Sequence, residues 1–199
     1  MKRGTTVGLM LVFLASGFAA LLYQVVWQRS LFAIYGINIE SVTVVVTAFM
    51  LGLGFGSFAG GAISKNPARP ALLLFGLVEL GIGVFGLVSL PLFHWVGAFT
   101  LGLPPLATAI VTLALVLLPT MLMGGTLPLL VAHMVRKNGN VGKSVGQLYF
   151  VNTLGSAIAS IASVMVIMGP LGEAGTVHAA AAVNGVVGLG AISLHLRGR

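Results

Sequence analysis

The sequence predicts an all-α polytopic membrane bundle of six transmembrane helices, and three observations predict it. Of 199 residues, 58% are hydrophobic and 7% charged, with a mean hydropathy of +1.10, whereas about a quarter of the residues of a soluble domain are charged. Between residues 70 and 135 the only Asp, Glu, Lys or Arg is Glu79, too little charge to solvate a surface. Apolar runs near the roughly 20 residues that a bilayer requires recur from end to end. The chain, residues 1–199, reads as a single membrane domain.

The first span is placed at residues 8–27. Met1, Lys2 and Arg3 before it imitate a signal peptide, but no small-x-small cleavage site is followed by a hydrophilic chain. The second and third spans fall at residues 42–63 and 71–93. The fourth, residues 104–134, is too long for one straight crossing and contains Pro119, Gly124, Gly125 and Pro128, so helix 4 is expected to be kinked or broken within the membrane. The fifth and sixth spans are placed at residues 145–168 and 176–196.

Six spans alternate their connections between two sides, and the basic residues test that alternation. Lys2, Arg3, Lys65, Arg69, Arg136, Lys137, Lys143, Arg197 and Arg199 fall on one side; Arg29 alone falls on the other, with Glu40 and Glu173. The excess of Lys and Arg marks the cytoplasmic face, which puts both termini in the cytoplasm. A net charge of +7 spread through short connections gathers no basic face for nucleic acid. Cysteine is absent, so no disulfide framework or thiolate metal site is expected.

The second span carries the clearest pattern. In AFMLGLGFGSFAGGAIS, residues 48–64, the small residues Ala48, Gly52, Gly56, Gly60 and Ser64 recur every four positions. On a helix they form one stripe, and small-xxx-small spacing lets two backbones approach closely in lipid. Another helix, from this chain or from a partner, is expected to lie along it. A ligand crevice is the alternative use of the same stripe.

Two polar levels are expected. Glu79 lies about 12 Å from the cytoplasmic end of its span, at a depth similar to Thr126, Asn152 and Gly56. An ionisable group there must face the bundle interior and find a partner. The structural reading is a neutral Glu79 hydrogen-bonded to Asn152, Thr126 or carbonyls freed near Pro128; the functional reading is a proton or cation site. The second level is the outer end of the first span, where Tyr23, Gln24, Trp27 and Arg29 stand close together. They read as interface anchors, or as a shallow outward-facing pocket in which Glu40 or Glu173 pairs with Arg29.

Motifs for chemistry are lacking. Gly54-x-Gly56-x-x-Ala59 matches a dinucleotide fingerprint, but the fingerprint needs a preceding strand, and these glycines lie in a membrane span. His94, His133, His178 and His195 sit near membrane boundaries without metal-ligand spacing. No catalytic residue, cofactor or metal is expected.

Five stretches carry a resemblance: SGFAALLYQVVWQR (16–29), AFMLGLGFGSFAGG (48–61), LVELGIG (77–83), LLPTMLMGGTLPLL (117–130) and GQLYFVNTLGS (146–156). Together they resemble the membrane domain of bacterial spermidine synthase-like proteins, in which a hydrophobic bundle precedes a soluble aminopropyltransferase-like domain. The segment GGAISKNPARP (60–70) also resembles a cytoplasmic loop of major facilitator transporters, without that loop's usual acid. Where the spermidine synthase-like family carries Glu in helix 1, this sequence has Gln24. The resemblance implies the bacterial cytoplasmic membrane as location, and no aminopropyltransferase domain is expected within these residues. Two functions follow as expectations. One is a non-enzymatic module: a subunit or anchor meeting lipid and a protein partner, among them a separately encoded aminopropyltransferase-like protein. The other is a small homodimeric carrier for polyamines or other cations.

Overall fold

Helix pairs in this protein are joined where glycine removes the side chain between two backbones. A computed structural model describes residues 3–36 and 39–197, apart from the side chains of Arg3, Thr5, Glu40 and Ser41. The elements are α1 (Arg3–Tyr35), α2 (Ile39–Ser64), α3 (Ala71–Thr100), α4 (Pro105–Asn138), α5 (Val141–Ala162), a π-helical turn (Ser163–Ile167) and α6 (Met168–Arg197). No strand occurs among the described residues. Five helical stretches, the last of them Val141–Arg197, are long and apolar enough to cross a membrane; this is a membrane-spanning protein. Lys2 and Arg199, both used to orient the spans, lie outside the described residues, as do the side chains of Arg3 and Glu40.

The helices run longer than the apolar windows. α1 continues two turns past Trp27 to Tyr35, and α3 continues past Phe93 to Thr100, and Tyr35 Oη and Thr100 Oγ1 hydrogen-bond at 2.8 Å where the two ends meet. The α4–α5 connection is tight. Gly139 closes α4 at φ 68°, a left-handed conformation suited to glycine, and Asn140 Oδ1 then accepts from the backbone N–H of Lys143 to start α5.

Of the kink or break expected in the fourth span, the break is not found: α4 runs as one helix from Pro105 to Asn138, with Pro119 and Pro128 inside it. Pro128 has no N–H and leaves the carbonyl of Gly124 without its usual donor. Ser57 on α2 takes that carbonyl instead, its hydroxyl donating at 3.0 Å. A neighbouring helix therefore satisfies the group that would otherwise draw the backbone open.

The small-residue face of α2 is covered from within the chain. A Cβ on Gly56 would strike the Met121 carbonyl, one on Gly60 would stand 2.8 Å from the Gly125 carbonyl, and one on Gly52 would strike Thr120. Ala48 is fully buried on the same face, and the Ser64 carbonyl accepts from Arg136 of α4. α1 and α5 repeat the device: Gly17 lies on the Asn152 carbonyl and Gly155 on the Leu14 carbonyl. Across α3 and α6, Gly76 and Gly188 approach each other's carbonyls, where an added Cβ would lie at 2.8 Å.

The pairings also give direction. Ser16 meets Glu79, Trp27 meets Ser89 and Tyr35 meets Thr100, so α1 and α3 run the same way. Asn152 with Phe13 and Ser156 with Gly17 make α5 parallel to α1. α6 pairs with α3 in the opposite sense, Gly76 meeting Gly188 and Gly83 meeting Ala181.

Candidate functional site

One face of α3 carries the site. Leu72, Phe75, Glu79, Ile82, Gly86, Ser89 and Phe93 are buried at spacings of three and four, the period of a helix face packed on its neighbours. Glu79 is fully buried on that face. Ser16 on α1 donates its hydroxyl to Glu79 Oε1 at 2.5 Å, and Asn184 on α6 donates its amide to Glu79 Oε2 at 2.6 Å. Three helices are thus tied at one carboxyl group.

The tie sits between two apolar clusters. Leu9, Phe13, Leu72, Phe75, Leu130, Met134, Val187 and Ala191 belong to the cluster at the end rich in basic residues. Ala19, Leu22, Trp27, Ile82, Phe93, Val177 and Ala180 belong to the other. On each helix the polar residue separates the two: Ser16 stands between Phe13 and Ala19, Glu79 between Phe75 and Ile82, and Asn184 between Ala180 and Val187. A polar layer separates the two apolar clusters.

Glu79 therefore has partners other than those expected. Thr126 donates to the carbonyl of Met123 in its own helix at 2.7 Å. Asn152 donates to the carbonyl of Phe13 at 3.3 Å and serves the α1–α5 contact. The carbonyl freed by Pro128 is taken by Ser57. Ser16 and Asn184 were not singled out from the sequence. Each is a lone polar side chain in an apolar run, and Asn184 lies within AAAAVNGVVGLG, which was the available signal.

The expected outer cluster divides. Tyr23 and Trp27 are fully buried, stacked on each other with ring centroids 4.9 Å apart. They are core residues, neither interface anchors nor the lining of a shallow pocket. Trp27 Nε1 donates to Ser89 Oγ at 2.9 Å, and its ring meets Phe85 and Phe93 edge-on. Gln24 is half-buried and Arg29 is exposed, both turned away from that core. Arg29 Nε pairs with Glu173 Oε1 at 2.9 Å, one of the two acids expected for it.

No protein-family model matches this chain, and the searches of curated proteins and of solved structures returned no match. The site's chemistry rests on its geometry alone. Among the described residues, the buried polar atoms without a hydrogen-bond partner include Tyr23 Oη and Asn184 Oδ1. Tyr23 Oη packs on Gly86, where a Cβ would collide with it. A cavity of about 530 Å³ opens between the outer parts of α3 and α6, bounded by Gly86, Leu90, His94, Glu173, Val177 and His178. A second, of about 470 Å³, is lined largely by apolar side chains beside Tyr35 and Thr100. Among the described residues, no group of three His, Asp or Glu side chains is placed to hold a metal ion. The arrangement ties a buried carboxyl group to a hydroxyl and an amide, and among the described residues it presents no nucleophile beside a base.

Proposed function

We propose that the chain is a non-enzymatic module of the bacterial cytoplasmic membrane, a subunit or anchor that crosses six times with both termini in the cytoplasm and docks a partner there. The observation that carries this reading is the clamp made by Arg136. Its guanidinium donates to the carbonyls of Ser64, Asn66 and Arg69 at 2.8, 2.9 and 2.7 Å. The α2–α3 connection is thereby held against the end of α4, and Lys65 and Arg69 of that connection share this end of the bundle, a basic platform, with Arg136, Lys137 and Lys143. Six crossings are supported by the opposite senses of α5 and α6 and by Gly172 between them, whose φ of 64° and ψ of −171° leave the helical region. The cytoplasmic placement rests on the concentration of Lys and Arg at this end. A separately encoded aminopropyltransferase-like protein is the partner that the sequence resemblance favours. Since α4 covers the small-residue face of α2, docking falls to the platform rather than to that face.

Isolation of the native protein in mild detergent, with mass spectrometry of what accompanies it, tests the reading. A stoichiometric soluble partner that is lost on Arg136→Gln supports it. Isolation of the chain alone overturns it.

A second reading, a homodimeric carrier for polyamines or other cations, is favoured by the buried Glu79 layer. Under it, Glu79→Gln abolishes cation uptake into vesicles. Uptake equal to wild type removes Glu79 from that mechanism.

A further inference from the structure

α2 and α4 draw together from Gly52 and Thr120 onward, where glycine lets the helices touch. The earlier part of α2, through Met50, contains no glycine and presents the β-branched Val44 and Val45. At this end a cavity of about 470 Å³ is bounded by α1 at Leu31 and Tyr35, by α2 at Val44 and Val45, and by the corner where α3 passes into α4. Its volume lies within the roughly 300–1,000 Å³ of small-molecule sites. Leu31, Val45, Thr100 and Thr112 of its wall are buried, while Leu101, Leu103 and Pro105 at the corner are exposed. The cavity is closed on the bundle side and accessible over an apolar rim.

The protons of this wall are already engaged. Thr112 Oγ1 donates to the Thr108 carbonyl at 2.8 Å, Thr108 Oγ1 to the Thr100 carbonyl at 3.2 Å, and Thr100 Oγ1 to the Val96 carbonyl at 2.9 Å. A hydroxyl has one proton to give, so Tyr35 Oη is the donor in its 2.8 Å contact with Thr100 Oγ1. The corner amides are committed too: Leu101, Leu103 and Thr108 donate to the carbonyls of Gly97, Thr100 and Pro104, and Pro105 has no N–H. The other lining residues lie within helices, where the backbone ladder takes their amides. What the wall retains is lone pairs, on the hydroxyl oxygens of Tyr35, Thr108 and Thr112. Among the described residues, none that lines the cavity carries a charge, so an ion would enter without a counter-charge. We propose that this cavity binds a neutral amphiphile of the long-chain alcohol class, its hydroxyl donating to these oxygens and its hydrocarbon lying against Leu31, Val44 and Val45. A ketone or ester, which only accepts, finds no free donor there.

The site is separate from the basic platform and from Glu79, and its test needs neither. The full chain in mild detergent is irradiated with a long-chain alcohol that carries a diazirine on its alkyl chain, and the labelled peptides are mapped by mass spectrometry. In wild type the label falls within residues 31–45 and 100–112. A secondary decanol displaces it at a mole fraction in the micelle about tenfold below that of the corresponding decanone, which has the same skeleton without the proton. Ala109→Leu adds a side chain to the cavity wall and abolishes the labelling. Tyr35→Phe and Thr112→Val each remove one oxygen while keeping the shape, and raise the half-displacing mole fraction of the decanol several-fold, which keeps the test decisive should Ala109→Leu fail to fold. Equal displacement by alcohol and ketone overturns the proposal, leaving an apolar crevice open to any lipid chain. Label spread over the lipid-facing surface, or displacement unchanged in both Tyr35→Phe and Thr112→Val, overturns it outright.

Discussion

The Ser57 hydroxyl on α2 donates at 3.0 Å to the carbonyl of Gly124 on α4, the carbonyl that Pro128 deprives of its helical donor. This makes the two residues energetically dependent on each other although Ser57 never touches the proline's missing hydrogen. Ser57→Ala is expected to destabilise the protein by about 0.5–2 kcal/mol, the range of interhelical hydrogen bonds in membranes and of a buried acceptor left unpaired. Pro128→Leu restores the backbone donor, so the same Ser57→Ala change should cost much less in that background. Unfolding in mixed detergent micelles checks both. Equal costs in the two backgrounds would sever the link between Ser57 and Pro128.

Gly54 and Gly56 lie two residues apart on one helix and face different surroundings. A Cβ at position 56 meets the Met121 backbone, and one at position 54 meets nothing within 4 Å. Gly56→Ala is expected to cost about 1–3 kcal/mol, as overpacking does. Gly54→Ala should be neutral or stabilising by about 0.5–1 kcal/mol, from reduced backbone freedom in the unfolded chain. A thermal denaturation series in detergent separates them, and similar losses for both would mean that α2 meets α4 on another face.

Of the two tryptophans, Trp27 is wholly buried and Trp95 is 70% exposed. In vesicles, brominated lipid should quench the Trp95 emission and leave that of Trp27 nearly untouched. Single-tryptophan variants, each with the other residue changed to Phe, make the assignment. Strong quenching of Trp27 would place it on the lipid-facing surface.

Arg136→Gln removes the donor that joins Ser64, Asn66 and Arg69. The connection then loosens, and trypsin should cleave after Lys65 and Arg69 several-fold faster than in wild type. In inside-out vesicles the sites should be reachable, and in right-side-out vesicles protected. The reverse protection would invert the orientation proposed for the bundle.

The Arg29–Glu173 pair, by contrast, is expected to matter little. Arg29 is 68% exposed and Glu173 32%, and ion pairs in such positions contribute about 0–1 kcal/mol and weaken with salt. Glu173→Gln should leave stability within about 0.5 kcal/mol of wild type in detergent at moderate ionic strength. A larger loss would reveal a role beyond the visible contact.

The sequence announced close packing along α2 because a four-residue period of small side chains is a steric signal, readable without knowing the partner. It did not announce α4 as that partner. Glu79 was legible as a buried group in need of company, since charge in lipid has few alternatives. Its companions Ser16 and Asn184 lie 63 and 105 residues away, and periodicity within one helix says nothing of which helices become neighbours. Tyr23 and Trp27 misled for another reason. The apolar window closes at Trp27, which made both resemble an aromatic belt, but α1 runs on to Tyr35 and carries them inside. Pro128 likewise signals a missing donor without revealing that Ser57 supplies one.

The layer of Ser16, Glu79 and Asn184 also fixes the register of the bundle. Sliding α6 along α3 by one turn, about 5.4 Å, already breaks the close approach of Gly76 and Gly188, and the layer adds a polar penalty to that steric one. With the layer present, the same slide brings Ala180 or Gly188 opposite the carboxyl group in place of Asn184. Neither can donate a side-chain hydrogen bond, so the shifted arrangement strands Glu79 among hydrocarbon. An α6 out of register with α3 leaves an ionisable group in lipid without side-chain partners, and the aligned arrangement is the one that satisfies it.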